Sequence, residues 1–142
     1  MRAYHYSNCL HKPGDIITAG RDSLTTFKGP KKIFEEALRA GHADGPEIRA
    51  EAFYVWESPD FVPSIWEHIP YKHYYEVEID EADIIHRSNL NHYNDGIDAA
   101  KKGLPLDKYV QDYWSNAPSH DPKPRIEILV TKAKVIALLL SR

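Results

Sequence analysis

The sequence is poor in cysteine and in long apolar runs. Cys9 is the one cysteine among 142 residues, so no disulfide can form within the chain and nothing argues for secretion. The longest apolar stretch, residues 135–140, is far too short to cross a bilayer, and the first residues lack the apolar run of a signal peptide. We therefore expect a protein of the cytoplasm, or an effector delivered by another route, with no membrane partner.

A strong excess of charge of either sign is also absent. The formal net charge is −3 and the isoelectric point is about 6.2, so no overall basic field draws the chain onto nucleic acid or an anionic membrane. The hydrophobic content of 42% and the charged content of 27% are ordinary for a globular protein. The length predicts a single domain over residues 1–142.

Spacings typical of metal sites and phosphate loops are missing as well. The chain has 8 histidines, but no two of them are four residues apart, as two zinc ligands on one helix would be. We therefore predict no metal. Cys9 has no local signature of a nucleophile, and Gly14 and Gly20 are too isolated for a phosphate-binding loop.

Strands dominate the predicted secondary structure. Alternating or aromatic and β-branched segments predict strands at residues 2–6, 52–56, 73–79, 125–130 and 133–140. Residues 31–40, 58–68 and 106–114 predict helices, whereas residues 89–105 predict a loop with a short helical turn. Strands and helices do not alternate regularly, so we expect an α+β fold with a mostly antiparallel sheet and short helices, mostly in the first half.

Three of these strands carry side chains suited to holding one ligand. The first strand contains Tyr-His-Tyr-Ser at residues 4–7, and Pro-Gly-Asp-Ile-Ile follows at residues 13–17. His5 and Ser7 stand at alternate positions, so they point to one face of the strand. Tyr54 lies in the aromatic strand and Glu127 in a late aliphatic strand.

In this order the segments resemble a family of small ADP-ribosyltransferases, closest to the rifamycin-modifying enzymes and to the wider His-Tyr-Glu group. That family opens with an aromatic residue, a histidine, a small residue and a hydroxyl residue, followed by a Pro-Gly-Asp turn and two aliphatic residues. An aromatic strand such as residues 53–55 comes next, and then a helix with a tryptophan, near Trp66. Strands such as residues 75–78 and 127–130 complete the pattern. The resemblance implies two packed, mostly antiparallel sheets that form a cleft for NAD, with short flanking helices.

The resemblance implies NAD as cosubstrate and mono-ADP-ribosyl transfer to a protein, a nucleic acid or a small molecule. Loss of nicotinamide leaves an oxocarbenium-like ribose, as in glycoside hydrolysis, and a nearby carboxylate stabilises its charge. We predict Glu127 for that role. Of the other two catalytic residues, His5 would donate a hydrogen bond to the adenosine-side ribose and Tyr54 would stack on nicotinamide.

Three further residues are predicted to bind the cosubstrate. Tyr6 would act through its backbone, because it stands where the family usually has glycine and its bulky side chain must point away from the ligand. Ser7 would bind the carboxamide or a ribose, and Trp66 would form the second wall of the nicotinamide slot. The family's acidic position falls, without gaps, on His86. The catalytic position is therefore open among Asp83, His86 and Glu127.

Each residue also has a purely structural interpretation. Glu127 would then be an exposed strand carboxylate, His5 an inner-strand histidine, Ser7 the cap of a turn, and Trp66 a packing residue. At the level of function, the alternatives are a module that binds NAD or ADP-ribose without catalysis, an NAD glycohydrolase, and, more weakly, an RNA 2′-phosphotransferase. The size would fit a bacterial or phage effector or a resistance-type enzyme.

Overall fold

The computed structural model describes residues 1–20 and 26–142. Its seven strands are β1 (Arg2–Ser7), β2 (Ile16–Thr18), β3 (Phe53–Trp56), β4 (His73–Glu78), β5 (Ile84–Asn89), β6 (Ile126–Val130) and β7 (Lys132–Ser141). The α-helices of the described part are α1 (Gly29–Ala40), α2 (Gly45–Glu51), α3 (Phe61–Ser64), α4 (Leu90–Lys101) and α5 (Asp107–Ser115). None of them is long and apolar enough to span a bilayer.

The chain divides into two compact units, and the first is built on an antiparallel sheet. This unit comprises Met1–Ala19, Ala52–His86 and Arg125–Arg142. The seven strands of the sheet lie in the order β2-β7-β4-β1-β3-β6-β5, with β5 continuing into the second unit. The predicted α+β class with a mostly antiparallel sheet is confirmed. The prediction of two packed sheets is not confirmed, because the described strands form one sheet, and the single domain over residues 1–142 stays a prediction.

In the sheet of the first unit, β1 and β3 are paired along only a short length. β1 pairs with β4 at six register positions, and β3 pairs with β6 at four. Between β1 and β3, which the structure describes completely, Tyr4 and Trp56 make one register pair. The two strands therefore separate beyond this pair, and we call the separation the β1–β3 opening.

The two faces of the sheet differ in chemistry. Residues directly opposite each other in antiparallel strands project to the same face. One face carries the apolar core of the unit, which includes Ala3, Val55, Tyr75, Val77 and Ile128. The other face carries a cross-strand row of Glu76, Tyr4, Trp56 and Glu127, one residue from each of β4, β1, β3 and β6.

The second unit is helical and is organised around a buried ion pair. It comprises Gly20–Glu51 and Arg87–Pro124, and its core includes Phe34, Leu38, Tyr93, Val110 and Tyr113. Glu35 of α1 is fully buried and accepts three hydrogen bonds from the guanidinium of Arg49 in α2, at 3.1 Å, 3.0 Å and 2.8 Å. Arg49 also donates to the Tyr113 hydroxyl at 2.8 Å. This bidentate pair ties α2 to α1 and α5.

Several elements differ from the sequence prediction. The loop predicted for residues 89–105 is wrong, because Leu90–Lys101 forms the helix α4, and β5 and α2 were not predicted. The Asn89 side chain caps α4 by accepting from the Asn91 N–H at 3.0 Å. The buried side of α4 includes the polar Asn91 and His92 beside Tyr93, so the apolar stripe of this helix is interrupted. Helices are therefore not concentrated in the first half. The helix predicted for residues 58–68 is only α3 followed by a 3₁₀ turn at Trp66–His68.

We predict that Gly96→Ala destabilises the protein. An added Cβ would lie 2.1 Å from Cε1 of the fully buried Phe34, so the ring would have to move within a packed core. The free energy of unfolding should fall by about 1–3 kcal/mol, although alanine has the higher helix propensity. Urea unfolding measures the difference. Gly20→Ala is the control, because its Cβ would meet nothing within 4 Å. Equal stability of the two variants would contradict the close packing of α1 on α4.

Candidate functional site

Glu127 is a buried carboxylate on the aromatic face of the first unit. It lies in β6 with 5% of its surface exposed. Its register partner in β3 is Trp56, which in turn pairs with Tyr4 of β1. The interpretation of Glu127 as an exposed strand carboxylate is therefore wrong. A buried carboxylate is costly to place in a fold, so this position needs a structural or a chemical reason.

Tyr54 and Tyr6 project to the same face as Glu127. Tyr54 lies two residues from Trp56, and Tyr6 lies two residues from Tyr4. Trp56 and Tyr4 belong to the cross-strand row, and residues two apart in a strand project to the same face. Continuing the Tyr4–Trp56 register places Tyr6 opposite Tyr54 across the β1–β3 opening. From the sequence we expected the Tyr6 side chain to point away from the ligand. The structure instead puts it beside Tyr54 and Glu127.

A third phenol, Tyr71, joins this group from the loop before β4. Its ring centre is 4.6 Å from that of Tyr6, and the two rings are tilted by 38°. The neighbouring Lys72 fixes the loop, because its N–H donates to Asn8 Oδ1 at 3.2 Å and its carbonyl accepts from Arg142 N–H at 2.9 Å. We call Tyr6, Tyr54, Tyr71 and Glu127 the carboxylate cluster. Sequence reasoning missed Tyr71, which belongs to no periodic segment.

The phenol of Tyr6 stays protonated in this setting. Burial raises the pKa of Tyr6 well above its ordinary value, and the nearby Tyr54, Tyr71 and Glu127 raise it further. A carboxylate disfavours a second negative charge beside it. At neutral pH, Tyr6 is therefore a hydrogen-bond donor and an uncharged aromatic surface.

His5 lies in the β1–β3 opening, and its ring is bonded to the main chain of β3. Its register partner in β4 is Tyr75, and its ring is nearly parallel to that of Tyr6, with ring centres 6.3 Å apart. Its Nδ1 lies 2.9 Å from the Tyr54 carbonyl oxygen. Because a carbonyl only accepts, Nδ1 must carry the hydrogen and donate, which leaves Nε2 as an acceptor in the neutral ring. His5 therefore holds the backbone of Tyr54 from within the β1–β3 opening.

The imidazole of His5 is neutral at physiological pH. Burial lowers its pKa to about 4, the hydrogen bond to Tyr54 opposes that shift, and the nearby His11 lowers the pKa further. Desolvation is the largest of these effects because it penalises the charged form of the ring. A neutral His5 also suits the donor role that its Nδ1 has toward Tyr54.

The contacts of Ser7 and Trp66 are those that their structural interpretations describe, a turn cap for Ser7 and a packing residue for Trp66. The Ser7 hydroxyl accepts from the Cys9 N–H at 3.0 Å and so caps the turn after β1. Trp66 packs near Tyr74, with ring centres 6.2 Å apart, and the guanidinium of Arg142 lies 4.2 Å from its ring centre. Among the described residues, the ring contacts of Trp66 thus lead to β4 and β7.

Of the two alternative catalytic positions, Asp83 lies away from Glu127, whereas His86 lies in the neighbouring strand. The Asp83 carbonyl accepts from the Thr131 N–H at 3.1 Å. Thr131 is four residues beyond Glu127, which corresponds to about 13 Å along β6. His86 lies in β5, the strand next to β6. Glu127 shares its face with Tyr54 and Tyr6, and the catalytic position stays open among the three residues. No group of three His, Cys, Asp or Glu side chains within residues 1–20 and 26–142 is arranged to hold a metal ion.

Comparison with known proteins adds no family. No protein-family model matches the sequence, and no match is found among the curated proteins. The carboxylate cluster and the β1–β3 opening are therefore the observations on which a function rests.

We predict that His5 makes stability depend on pH between about 4 and 6.5. The unfolded chain binds a proton at His5 below pH 6.5, whereas the folded chain does so only near pH 4. The free energy of unfolding therefore falls as pH decreases through this window, by about 1–2 kcal/mol at pH 5 relative to pH 7.5.

Urea unfolding of the wild type and His5→Asn at several pH values checks this prediction. Asparagine keeps an N–H that donates to the Tyr54 carbonyl but does not titrate. The stability of the wild type relative to the variant should rise from pH 5 to pH 7.5. Parallel pH profiles for the two proteins would contradict a buried, neutral His5.

Proposed function

We propose that this chain is an NAD-dependent mono-ADP-ribosyltransferase of the kind its sequence resembles. The observation that carries the proposal is the buried Glu127 carboxylate on the same face as Tyr54, next to the β1–β3 opening. In this proposal the opening is the NAD cleft, and the strands on its two sides take the place of the two predicted sheets. A cytoplasmic protein, or an effector delivered into a cell, would meet this cosubstrate.

The reaction breaks the bond between nicotinamide and ribose. The bonding electron pair leaves with the pyridinium ring, which becomes neutral, and positive charge develops on the ribose. The Glu127 carboxylate stabilises that charge, and it acts strongly because its surroundings exclude most of the water. A nucleophilic oxygen or nitrogen of the acceptor then bonds to the ribose carbon and loses its proton.

Tyr54 and His5 position the cosubstrate in this proposal. The phenol ring of Tyr54 holds the cationic pyridinium by an attraction of about 0.5–2 kcal/mol, which weakens once the ring leaves as neutral nicotinamide. The Nδ1–H of His5 is used by the Tyr54 carbonyl, so Nε2 would accept a hydrogen bond from a ribose hydroxyl. The predicted donor role of His5 toward the ribose is thus replaced by an acceptor role.

A binding module without catalysis is the second candidate, and one observation favours it. Tyr6 stands where the resembled family has glycine, and its side chain lies within the carboxylate cluster. That ring occupies space beside Glu127 that an acceptor would need. In this case the chain would hold NAD or ADP-ribose without turnover.

We predict that the wild type releases nicotinamide from NAD and that two substitutions reduce the release differently. Glu127→Gln removes the charge that stabilises the ribose cation, so kcat should fall by about 100-fold or more. Tyr54→Ala removes the stacking surface, so KM should rise by about tenfold. Chromatographic measurement of nicotinamide over time gives both constants.

Glu76→Gln is the matched control for this experiment. Glu76 lies in the same cross-strand row as Glu127 but in β4, where it pairs with Arg2 at 3.2 Å. Its substitution should leave nicotinamide release within twofold, about 0.4 kcal/mol, of the wild type. Equal release by the wild type, Glu127→Gln and Tyr54→Ala would remove both residues from the mechanism. NAD that raises the Tm without any turnover would identify the binding module.

A further inference from the structure

We propose that the outer edge of the second half of β7 is a docking site for an extended peptide segment of another protein, apolar in its middle and acidic at one end or both. The segment would add a short strand to the sheet through main-chain hydrogen bonds. We call this edge, residues 136–141, the β7 edge. The inference does not depend on the proposed transferase activity.

The strand beside β7 ends well before β7 does. β7 pairs with β4 along one side, whereas on the other side β2 covers only Lys132–Lys134. Beyond β2, the Gly14 N–H donates to the Val135 carbonyl and the Val135 N–H donates to the Asp15 carbonyl, both at 2.8 Å. Within the described part of the chain, no main-chain hydrogen bond reaches the outer side of the β7 edge. The sheet therefore offers unpaired main-chain groups to a further strand.

The composition of the β7 edge gives it little protection against a partner strand. Its sequence, Ile-Ala-Leu-Leu-Leu-Ser, contains no charge and no proline, which are the residues that usually block an exposed strand edge. Leu138 and Leu139 are each 43% exposed. Two register shifts against β4 put two extra residues into β7. Such irregularities increase the twist of a strand, so the β7 edge suits one short segment and not an extended stack of strands.

A leucine from a fixed loop adds apolar surface on the face of Leu138. Tyr75 is the register partner of Leu138, so both project to the same face. The Tyr75 hydroxyl donates to the Cys9 carbonyl and accepts from the His11 N–H, both at 2.9 Å. Leu10, between these two residues, is 71% exposed. Its main chain is thus held in place while its side chain faces solvent, and such a pre-organised side chain loses little freedom when a partner packs on it.

The charges next to the β7 edge favour an acidic partner. Lys134 precedes the edge in β7, and Lys12 lies in the loop that joins β7 at Gly14. Both lysines are exposed. The carboxylate of Asp15, the acidic residue of this loop, accepts from the Lys12 N–H at 2.8 Å. An Asp or Glu of a docked segment would complement the two lysine side chains.

A second copy of the chain fits the β7 edge less well. Antiparallel pairing of two β7 edges about a two-fold axis would set Ile136 of each copy opposite Ser141 of the other. The residue that then approaches Lys134 is Arg142 of the other copy, at both ends of the pair. Like charges in neighbouring strands are destabilising, so the charges select a foreign segment over self-association.

A labelled peptide tests the β7 edge by fluorescence anisotropy. The probe is Asp-Asp-Val-Thr-Val-Thr-Asp-Asp, acidic at both ends so that either strand direction brings an acid to the lysines. Its counterpart has lysine in place of each aspartate. We expect the wild type to bind the acidic peptide about fivefold more tightly, and about 0.5 M salt should remove most of this difference by screening the charges.

N-Methylation of the probe separates strand addition from non-specific apolar contact. Only alternate residues of a strand turn their N–H groups toward one neighbour. Methylating one alternate set of N–H groups should weaken binding about tenfold, whereas methylating the other set should keep the affinity within about twofold. Equal losses for the two methylated peptides would overturn the inference.

Two variants test the β7 edge from the side of the protein. Leu138→Asp places a negative charge on the edge, so the affinity for the acidic probe should fall about tenfold. Leu104→Asp is the matched control at another leucine, 50% exposed, and it should keep the affinity within about twofold. Lys134→Gln, which leaves the apolar surface intact, should reduce the preference for acidic ends about threefold. Urea unfolding checks that each variant is folded.

Four results would overturn the inference. They are no binding of the acidic probe by the wild type, equal affinity for the two peptides, loss of binding in Leu104→Asp but not in Leu138→Asp, and a dimer in sedimentation that Leu138→Asp dissociates. The last result would assign the β7 edge to a second copy. Nicotinamide release enters none of these measurements, so failure of the transferase proposal and failure of this inference are distinguishable.

Discussion

Where β1 and β3 separate, the imidazole of His5 takes over from the main chain. The Tyr54 carbonyl accepts from His5 Nδ1 at 2.9 Å at a position where a strand partner would otherwise donate. A buried carbonyl without a donor would cost about 1–3 kcal/mol, so the opening depends on this bond. The bond in turn requires a hydrogen on Nδ1, and burial keeps the ring in its neutral form. One side chain thus satisfies the Tyr54 carbonyl at the point where the sheet opens.

The carboxylate of Glu127, next to this opening, has surroundings that differ from those of the buried carboxylate of Glu35. Glu35 and Glu127 are both buried, but they serve different elements of the protein. Glu35 lies between helices, where the fork of Arg49 binds both of its oxygens. That arrangement is a structural ion pair, which fixes helix positions. Glu127 lies on a strand face, within electrostatic reach of the Tyr6 phenol.

Much of the sheet could be predicted from the sequence, because its strands alternate or are rich in aromatic and β-branched residues. The segments that became β1, β3, β4, β6 and β7 were all predicted. β5 and α4 were missed because their buried positions include polar side chains such as Ser88, Asn89 and His92. Polar residues among the buried ones weaken the hydrophobic periodicity, which in α4 is limited to positions such as Leu90, Tyr93 and Ile97.

The candidate site was predictable only in part, for a related physical reason. Because Glu127 alternates with Ile126 and Ile128, the sequence pattern indicates that Glu127 is exposed. That inference holds only for a sheet with one solvent-exposed face. Here Glu127 and Ile128 are buried on opposite faces. The strand order that sets β3 between β1 and β6 depends on long-range pairing, which no local pattern encodes. The neighbours of the Tyr6 side chain follow from the pleat and pairing of the strands, which the resemblance to a family does not supply.

The most direct test of this account is a crystal structure of the Glu127→Gln variant soaked with NAD. The account predicts the dinucleotide in the β1–β3 opening, with its pyridinium ring stacked on Tyr54 and its ribose within hydrogen-bonding distance of the side chain at position 127. NAD bound on another surface, or an opening closed by further main-chain pairs between β1 and β3, would contradict it.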